Sequence, residues 1–144
     1  MSGLFVSYAH ADSLFVHALR TELIQNGYDV WLDVDRVDPS DDWLVSVERA
    51  LASAKAAMFV VSPSFLRSEM CLHELRQAVA QGKQIVSITL DGIENEHLPE
   101  EFTGAEPIYV GDPTDFSAVL RRLDRSLSPG DREIGMPLQS RLRG

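Results

Sequence analysis

The chain has 144 residues, the size of one ordinary domain, and 44% of them are hydrophobic, as in a globular protein. Its formal net charge of −9 argues against nucleic acid as the main partner, because phosphate-dominated binding needs a basic surface. The single cysteine excludes an internal disulfide framework, no apolar run approaches the ~20 residues that span a bilayer, and no signal peptide is visible, so we predict a cytoplasmic protein.

Strand and helix signals alternate from the start of the chain. Residues 4–8 form a short apolar run with aromatic and β-branched residues, which predicts a strand. Residues 12–26 repeat apolar positions at helical spacing and stop at Gly27, which predicts a helix. Residues 28–32 return to a strand pattern, and residues 33–42 form a polar loop.

The alternation continues through the second half. A second helix follows the polar loop, and residues 55–62, apolar throughout, predict the central strand of a parallel sheet that is covered on both faces. Ser68 begins a third helix that runs to Gln81 and stops at Gly82. The remaining elements are two strands and a final helix, at residues 84–90, 107–110 and 113–127.

This order of elements predicts an α/β fold with a doubly wound parallel sheet. Such sheets bind ligands outside the carboxyl ends of their strands, where the strand order reverses. The carboxyl end of the first strand holds Ser7, Tyr8 and Ala9, that of the second holds Asp33, and that of the third holds Ser62. The third helix begins just after the last of these. We therefore expect these residues to border one crevice.

Glu74 is the carboxylate that stands out on the third helix. At ~100° per residue, it falls about 40° from both Met70 and Ala78, on the border of the apolar face. A glutamate in such a position is usually a solvated surface residue. Its place beside the expected crevice favours a functional role. The buried arc of this helix is predicted to hold Cys71, Leu72, Leu75, Ala78 and Val79.

Several other kinds of site are excluded by their missing motifs. No Gly-x-Gly-x-x-Gly follows the first strand, and no Walker-type Gly-Lys-Ser is present. The four histidines are scattered, so we predict no metal site. Cys71 lies on the apolar arc and is predicted to be core rather than a nucleophile. Trp31 is also predicted to be core, whereas Trp43 is left open between core packing and ligand contact.

Two segments have a biased composition. Residues 29–42 contain six aspartates and one arginine, which indicates either a solvated loop or a docking surface for something basic, such as another copy of the chain. Residues 128–144 lose periodicity and contain Pro129, Gly130, Gly135 and Pro137, which predicts a flexible linker or C-terminal tail. We expect a module of a larger protein, with the folded domain at residues 1–127.

Taken together, the motifs resemble a Toll/interleukin receptor (TIR) domain. The matching pieces are FVSYA at residues 5–9 with Asp12, VWLD at 30–33, AMFVVSPSF at 57–65 and SEMCLHEL at 68–75. The resemblance covers residues 4–127. It implies a flavodoxin-like fold with five parallel strands in the order 2-1-3-4-5.

The resemblance also implies an activity. Many TIR domains cleave NAD+ into nicotinamide and ADP-ribose or a cyclic isomer, and their catalytic glutamate falls on Glu74. NAD+ is then a substrate, with no cofactor. The resemblance implies substrate contacts at the end of the first strand, the start of the third helix and the loop after the second strand, so the expected binding residues are Ser7, Tyr8, Ala9, Asp33, Trp43, Ser68 and Met70. The loop after the second strand (the BB loop) is expected to mediate self-association through Asp35, Arg36, Val37, Asp38, Pro39 and Asp41.

Two residues depart from the family pattern. Many members carry a tryptophan where this chain has Met70, and a glycine where it has Asp41. These departures favour an alternative, a non-catalytic adaptor that acts through TIR–TIR contacts. A third interpretation is an enzyme similar to nucleoside deoxyribosyltransferases. In the enzymatic interpretation we expect an effector module of an immune or signalling protein, activated by a fused or partner sensor domain, with no direct contact to nucleic acid or membrane.

Overall fold

The computed structural model describes residues 3–34, 41–90, 99, 102 and 107–126; for residues 33, 34, 41–44 and 126 it describes the backbone only. The strands are β1 Leu4–Tyr8, β2 Val30–Val34, β3 Ala56–Val61, β4 Gln84–Thr89 and β5 Ile108–Tyr109. The helices are α1 Ser13–Gln25, α2 Asp41–Ser53, α3 Pro63–Leu66, α4 Glu69–Ala80 and α5 Ser117–Ser126, with a 3-10 turn at His10–Asp12.

The strands form one five-stranded sheet in the order β2-β1-β3-β4-β5, and all neighbouring pairs are parallel. The predicted fold class and strand order are therefore confirmed. Because the strands are parallel, their carboxyl ends share one edge of the sheet. At this edge Ser7 of β1 is aligned with Asp33 of β2 on one side and with Phe59 of β3 on the other.

The sheet separates two hydrophobic cores, because successive side chains of a strand point to opposite faces. The first core, which includes Met58 and Val60, lies between the sheet and helices α1 and α5. The second core, which includes Phe59 and Val61, lies between the sheet and helices α2, α3 and α4. Every residue of β3 is buried, which is why this segment of the sequence is apolar throughout.

Helix ends follow the expected capping residues. Gly27 and Gly82 have φ angles of 92° and 69°, so each ends its helix in the left-handed region that glycine tolerates. The Ser68 hydroxyl accepts a hydrogen bond from the Cys71 amide at 3.2 Å and caps α4. These signals placed the start and the end of α4 correctly from the sequence.

Two local structures differ from the sequence predictions. The short helix α3 lies where the sequence analysis assigned no element. It forms because the Ser62 hydroxyl accepts a hydrogen bond from the Phe65 amide and Pro63 stands at the first helical position. Helix α5 begins at Ser117 rather than at residue 113. The Asp112 carboxylate accepts hydrogen bonds from Thr114 and holds a turn, and the Asp115 carboxylate accepts from the Ser117 amide at 3.0 Å.

Trp31 was predicted to be core, and that prediction is wrong. Its side chain is 42% exposed because β2 is an edge strand, and its ring stacks on Phe5 with the centroids 5.2 Å apart. Val79, expected on the buried arc of α4, is 44% exposed. Among the described residues, no helix is long and apolar enough to cross a membrane.

Candidate active site

A hydrogen bond between Ser7 and Glu74 joins the end of β1 to the middle of α4. The Ser7 hydroxyl donates to Glu74 Oε1 at 2.5 Å, and the two residues lie 67 positions apart in the sequence. Both residues are 0% exposed. Ser7 and Glu74 were both expected beside the carboxyl edge of the sheet, and the structure shows that they are in direct contact there.

Glu74 is buried, whereas the helical wheel placed it on the border of the apolar face. The wheel assumed one buried arc, but α4 contacts helix α2 as well as strands β1 and β4. Because α4 packs against both α2 and the sheet, its buried face includes Glu74, whereas Val79 is exposed. The burial makes Glu74 an unusual residue, since a fully buried glutamate is rare unless it is paired.

Among the described residues, the second carboxylate oxygen of Glu74 has no hydrogen-bond partner. Glu74 Oε2 is buried and accepts no hydrogen bond within the structure, whereas Oε1 is held by Ser7. An unsatisfied buried polar atom costs about 1–3 kcal/mol, and more when it is charged. Natural structures keep few such atoms, and those that persist often belong to catalytic or binding sites. The geometry therefore leaves one oxygen able to accept hydrogen bonds from a ligand.

Other polar side chains lie on the same face of the sheet. Ser87 and Thr89 of β4 are aligned with Phe59 and Val61, which belong to the second core. Their hydroxyl oxygens are buried and, like Glu74 Oε2, have no hydrogen-bond partner among the residues that the structure describes. The carboxyl end of the second core thus combines an apolar interior with several unsatisfied polar atoms.

Met70 lies one helical turn before Glu74, so the two residues share a face of α4. Met70 is buried in the second core, as is Cys71, which confirms the prediction that the cysteine is core. Ser68, which was expected to contact substrate, has a structural role as the cap of α4. The substrate contacts of Met70 and Ser68 remain predictions.

Tyr8 and Ala9 follow Ser7 but do not extend the Glu74 site through their side chains. Tyr8 packs in the first core, on the opposite face of the sheet, with its ring edge-on to His17 at a centroid distance of 6.4 Å. Ala9 is buried as well. Their expected substrate contacts also remain predictions.

Several predicted site residues have side chains that lie outside the described part of the structure. The backbone of Asp33 is aligned with Ser7, and Trp43 lies in the first turn of α2, but neither side chain is described. Of the residues predicted for self-association, Asp41 begins α2. The others fall outside the described residues: Asp35, Arg36, Val37, Asp38 and Pro39.

Asp12 was not predicted as a site residue, yet it ties two strand ends together. The Ser62 hydroxyl donates a hydrogen bond to Asp12 Oδ2, and the same oxygen of Ser62 accepts from the Phe65 amide at 3.2 Å. The turn after β1 is thereby fixed to the start of α3, close to the chain segment that leads into α4. The sequence did contain a signal for this contact, because Asp12 and Ser62 closely follow the carboxyl ends of β1 and β3, which are adjacent in the sheet.

Two cavities differ in their position on the sheet. The larger, of about 520 Å³, lies near the amino ends of β1 and β2 and is lined by residues such as Gly3, Trp31 and Arg49. The smaller, of about 320 Å³, lies at the carboxyl edge, beside Asp12 and Gly111. Size favours the first as a ligand site, but the position favours the second because open α/β sheets bind ligands at the carboxyl edge. Within the described residues, no group of three or more metal-binding side chains occurs.

Comparison with known proteins identifies a family. The family model of the TIR domain matches residues 4–123. The protein TcpA of Theionarchaea archaeon (strain DG-70-1), named an NAD(+) hydrolase, is 30% identical over 99 residues, which is 66% of this chain. The chain spans only about 30% of the length of that relative.

Solved structures of TIR domains share the fold. The TIR domain of the Toll-related receptor TRR-2 from Hydra magnipapillata superposes with a TM-score of 0.68 at 19% identity, over 87% of this chain and 97% of that one. The TIR domains of the activated Roq1 resistosome superpose with a TM-score of 0.56 at 17% identity, over 90% and 75%. At these identities the likeness shows the fold alone.

Proposed function

Because the chain belongs to the TIR domain family, we propose that it cleaves the bond between nicotinamide and ribose in NAD+, with Glu74 as the catalytic residue. The observation that carries the proposal is the buried Glu74 carboxylate, whose Oε1 is fixed by Ser7 and whose Oε2 has no hydrogen-bond partner in the described part of the chain. The relative TcpA, which is named an NAD(+) hydrolase, supports this assignment.

A single carboxylate is sufficient for this reaction. Hydrolysis of a bond between two sugars needs an acid to protonate the leaving oxygen. In NAD+ the pyridinium nitrogen already carries a positive charge, so it takes the electron pair of the C–N bond and nicotinamide leaves as a neutral molecule. The ribose is left as an oxocarbenium ion, whose positive charge a nearby carboxylate stabilises.

The cation is then captured by a nucleophile. When water adds to the anomeric carbon and loses a proton to Glu74 or to solvent, the products are ADP-ribose, nicotinamide and one proton. When a nitrogen of the adenine ring adds instead, the product is a cyclic isomer. In both cases Glu74 Oε2 accepts hydrogen bonds from the ribose hydroxyls, while the Ser7 hydroxyl holds Oε1 in place.

Access to Glu74 requires a change of structure. Because the side chain is 0% exposed, a substrate reaches Oε2 only after the covering residues move. We propose that self-association through TIR–TIR contacts provides this change, so that the single chain has weak activity and the assembly is active. The similar fold of the TIR domains in the activated Roq1 resistosome, an assembled state, is consistent with this step. The acidic BB loop is the proposed contact.

The test is the release of nicotinamide from NAD+ by concentrated protein, followed by chromatography. Glu74→Gln keeps the size of the side chain but removes its charge, and we expect a loss of about 100-fold or more. Glu69→Gln is the matched control, because Glu69 is exposed in the first turn of the same helix. Equal turnover by the two variants would exclude Glu74 as the catalytic residue.

The complete burial of Glu74 also favours a second candidate, an adaptor that acts only through TIR–TIR contacts. The two candidates differ in the assembled state. An adaptor forms oligomers that release no nicotinamide, and Glu74→Gln does not alter its assembly. Sedimentation combined with the nicotinamide assay on the same sample distinguishes them. Turnover of deoxynucleosides in that sample would instead indicate an enzyme of the deoxyribosyltransferase type.

A further inference from the structure

The buried polar side chains of the described residues are concentrated in the carboxyl half of the sheet. They are Ser7, Ser62, Glu74, Ser87 and Thr89, and each is at most 1% exposed. Ser62 and the Ser7–Glu74 pair form hydrogen bonds, whereas the hydroxyl groups of Ser87 and Thr89 form none with any described residue. We propose that Ser87 and Thr89 bind the end of NAD+ that is cleaved at Glu74. The inference rests on the proposed function and adds two substrate-binding residues to its site.

Ser87 and Thr89 face the same side of the sheet as Ser7. Phe59 of β3 is aligned with Ser7 of β1 on one side and with Ser87 of β4 on the other. Residues in aligned positions of neighbouring strands point to the same face, and so do residues two positions apart in one strand. Ser7, Ser87 and Thr89 therefore all point into the second core, where α4 carries Glu74.

One ligand is able to reach Glu74 and both hydroxyl groups. Neighbouring strands lie about 4.8 Å apart, so the Cα atoms of Ser7 and Ser87, two strands apart, are separated by about 10 Å. Glu74 Oε1 lies 2.5 Å from the Ser7 hydroxyl, and α4 contacts both β1 and β4. The Glu74 carboxylate and the hydroxyl groups of β4 thus do not bond to each other, but they are close enough to contact one small molecule.

Within the described part of the chain, the hydroxyl groups of Ser87 and Thr89 lack partners, which lowers the stability of the free protein. A buried hydroxyl without a hydrogen bond loses its bonds to water, whereas an apolar side chain of similar shape avoids this loss. A core that served stability alone would therefore favour alanine or valine at these two positions. Polar groups that are kept despite such a loss often act in binding or catalysis.

Hydroxyl groups supply the donors that a carboxylate lacks. A carboxylate such as that of Glu74 only accepts hydrogen bonds, so it pairs with the hydroxyl groups of the ribose. The amide oxygen of nicotinamide and the ring oxygen of the ribose are acceptors, and they need a donor once they leave water. Ser87 and Thr89 provide such donors, and because their hydroxyl groups are uncharged they do not repel the positive pyridinium ring.

Both residues lie where a ligand is expected to enter. Thr89 is the last residue of β4, at the carboxyl edge where open α/β sheets bind their ligands, and Ser87 lies two residues deeper. Both side chains are buried, so they meet the substrate only after the same change of structure that exposes Glu74.

Three variants test the hydroxyl groups with little change of shape. Thr89→Val exchanges the hydroxyl for a methyl group, and Ser87→Ala removes the hydroxyl. Thr89→Ser keeps the hydroxyl and loses only the methyl group. Thr21→Val is the matched control, because the exposed Thr21 hydroxyl donates to the His17 carbonyl of its own helix at 3.2 Å.

The first experiment combines urea denaturation with steady-state kinetics on NAD+. We expect Thr89→Val and Ser87→Ala to unfold at the same urea concentration as the wild type or at a higher one. Each should raise the KM for NAD+ and lower kcat/KM about tenfold, whereas Thr89→Ser and Thr21→Val should retain kcat/KM. The inference is overturned if Thr89→Val cleaves NAD+ as well as Thr21→Val does, if Thr89→Ser loses as much activity as Thr89→Val, or if Thr89→Val is less stable than Thr89→Ser.

The second experiment measures binding by a readout other than turnover. Nicotinamide mononucleotide and adenosine monophosphate, the two halves of NAD+, are titrated separately into concentrated labelled protein and followed by amide NMR. We expect nicotinamide mononucleotide alone to shift the amides of Ser87 and Thr89, and to bind Thr89→Val about tenfold more weakly than Thr21→Val. Equal shifts by both halves, or no binding of nicotinamide mononucleotide, overturn the inference.

The two experiments separate this inference from the proposed function. If the wild-type protein releases no nicotinamide but binds nicotinamide mononucleotide as expected, the proposed reaction fails and the binding site stands. If nicotinamide is released and Thr89→Val behaves like Thr21→Val in both experiments, the proposed function stands and this inference fails.

Discussion

The Ser7 hydroxyl and the Glu74 carboxylate form a 2.5 Å hydrogen bond between the first strand and the fourth helix. Neither residue is exposed, so the bond lies in a medium of low dielectric constant that strengthens it. The same medium makes the unpartnered Oε2 costly. Within the part of the chain that the structure describes, one oxygen of the carboxylate is thus held by Ser7 and the other accepts no hydrogen bond.

Replacement of Ser7 by alanine should weaken both the stability of the protein and the proposed cleavage of NAD+. Ser7→Ala leaves Glu74 Oε1 without its donor, so the free energy of unfolding should fall by about 1–3 kcal/mol. The carboxylate also loses its orientation, and kcat for nicotinamide release should fall about 10-fold to 100-fold with little change in KM. Urea denaturation and steady-state kinetics measure these quantities.

Ser64→Ala is the control for this prediction, because Ser64 is a partly buried serine of the short helix α3. If Ser7→Ala and Ser64→Ala have the same stability and the same kcat, the hydrogen bond does not position Glu74.

Removal of both side chains, Ser7 and Glu74, should restore stability and abolish the proposed activity. In the double variant Ser7→Ala, Glu74→Leu no polar atom of this pair remains buried, so the protein should be at least as stable as the wild type. The single variant Glu74→Leu leaves the Ser7 hydroxyl unsatisfied and should be less stable than the double variant by about 1 kcal/mol. Denaturation of the four proteins of this cycle gives the coupling energy. A double variant less stable than both single variants contradicts the prediction.

The bond from Ser62 to Asp12 should stabilise the carboxyl edge of the sheet. Asp12→Ala leaves the Ser62 hydroxyl without its acceptor, and we expect a loss of about 1–3 kcal/mol in the free energy of unfolding. Asp12→Asn should lose less, because the amide oxygen still accepts the bond. Glu48→Ala, in the exposed face of α2, is the control. Equal losses for Asp12→Ala and Asp12→Asn would show that the hydrogen bond has no net effect.

The turn before α5 should contribute to the free energy of unfolding, and this contribution should be lost at acid pH. Hydrogen bonds from the Thr114 backbone and hydroxyl lower the pKa of Asp112 below 3.8, and hydrogen bonds from Ser117 lower the pKa of Asp115 in the same way. Because folding lowers the pKa values of both carboxyl groups, their contribution to stability is complete when the pH is above their pKa in the unfolded chain. It is lost as the pH falls through their lower pKa values in the folded protein.

Asp115→Asn should therefore lower the melting temperature at pH 7 and have a smaller effect below pH 3. Thermal denaturation at both pH values measures the difference. Since both carboxylates are exposed to solvent, the effect should be small. A deficit of the variant that grows as the pH falls contradicts the assignment.

The sequence by itself determined the fold and most of the elements. The apolar run of β3 and the helical spacing of α1 and α4 are local patterns, and they gave the parallel sheet and its strand order once the family resemblance was added. The ends of α4 were also readable, because Ser68 and Gly82 act on the backbone next to them. The sequence marked Glu74 as the residue to test.

Only the tertiary structure decided how these residues are arranged. Glu74 is buried because α4 contacts helix α2 as well as the sheet, which a helical wheel of one segment does not represent. Trp31 is exposed because its strand lies at an edge. The pairs Ser7–Glu74 and Asp12–Ser62 join distant segments, so their contact depends on strand order and packing. Local periodicity in the sequence predicts helices and strands. The hydrogen-bond partners of buried polar atoms, in contrast, depend on how these elements pack against one another.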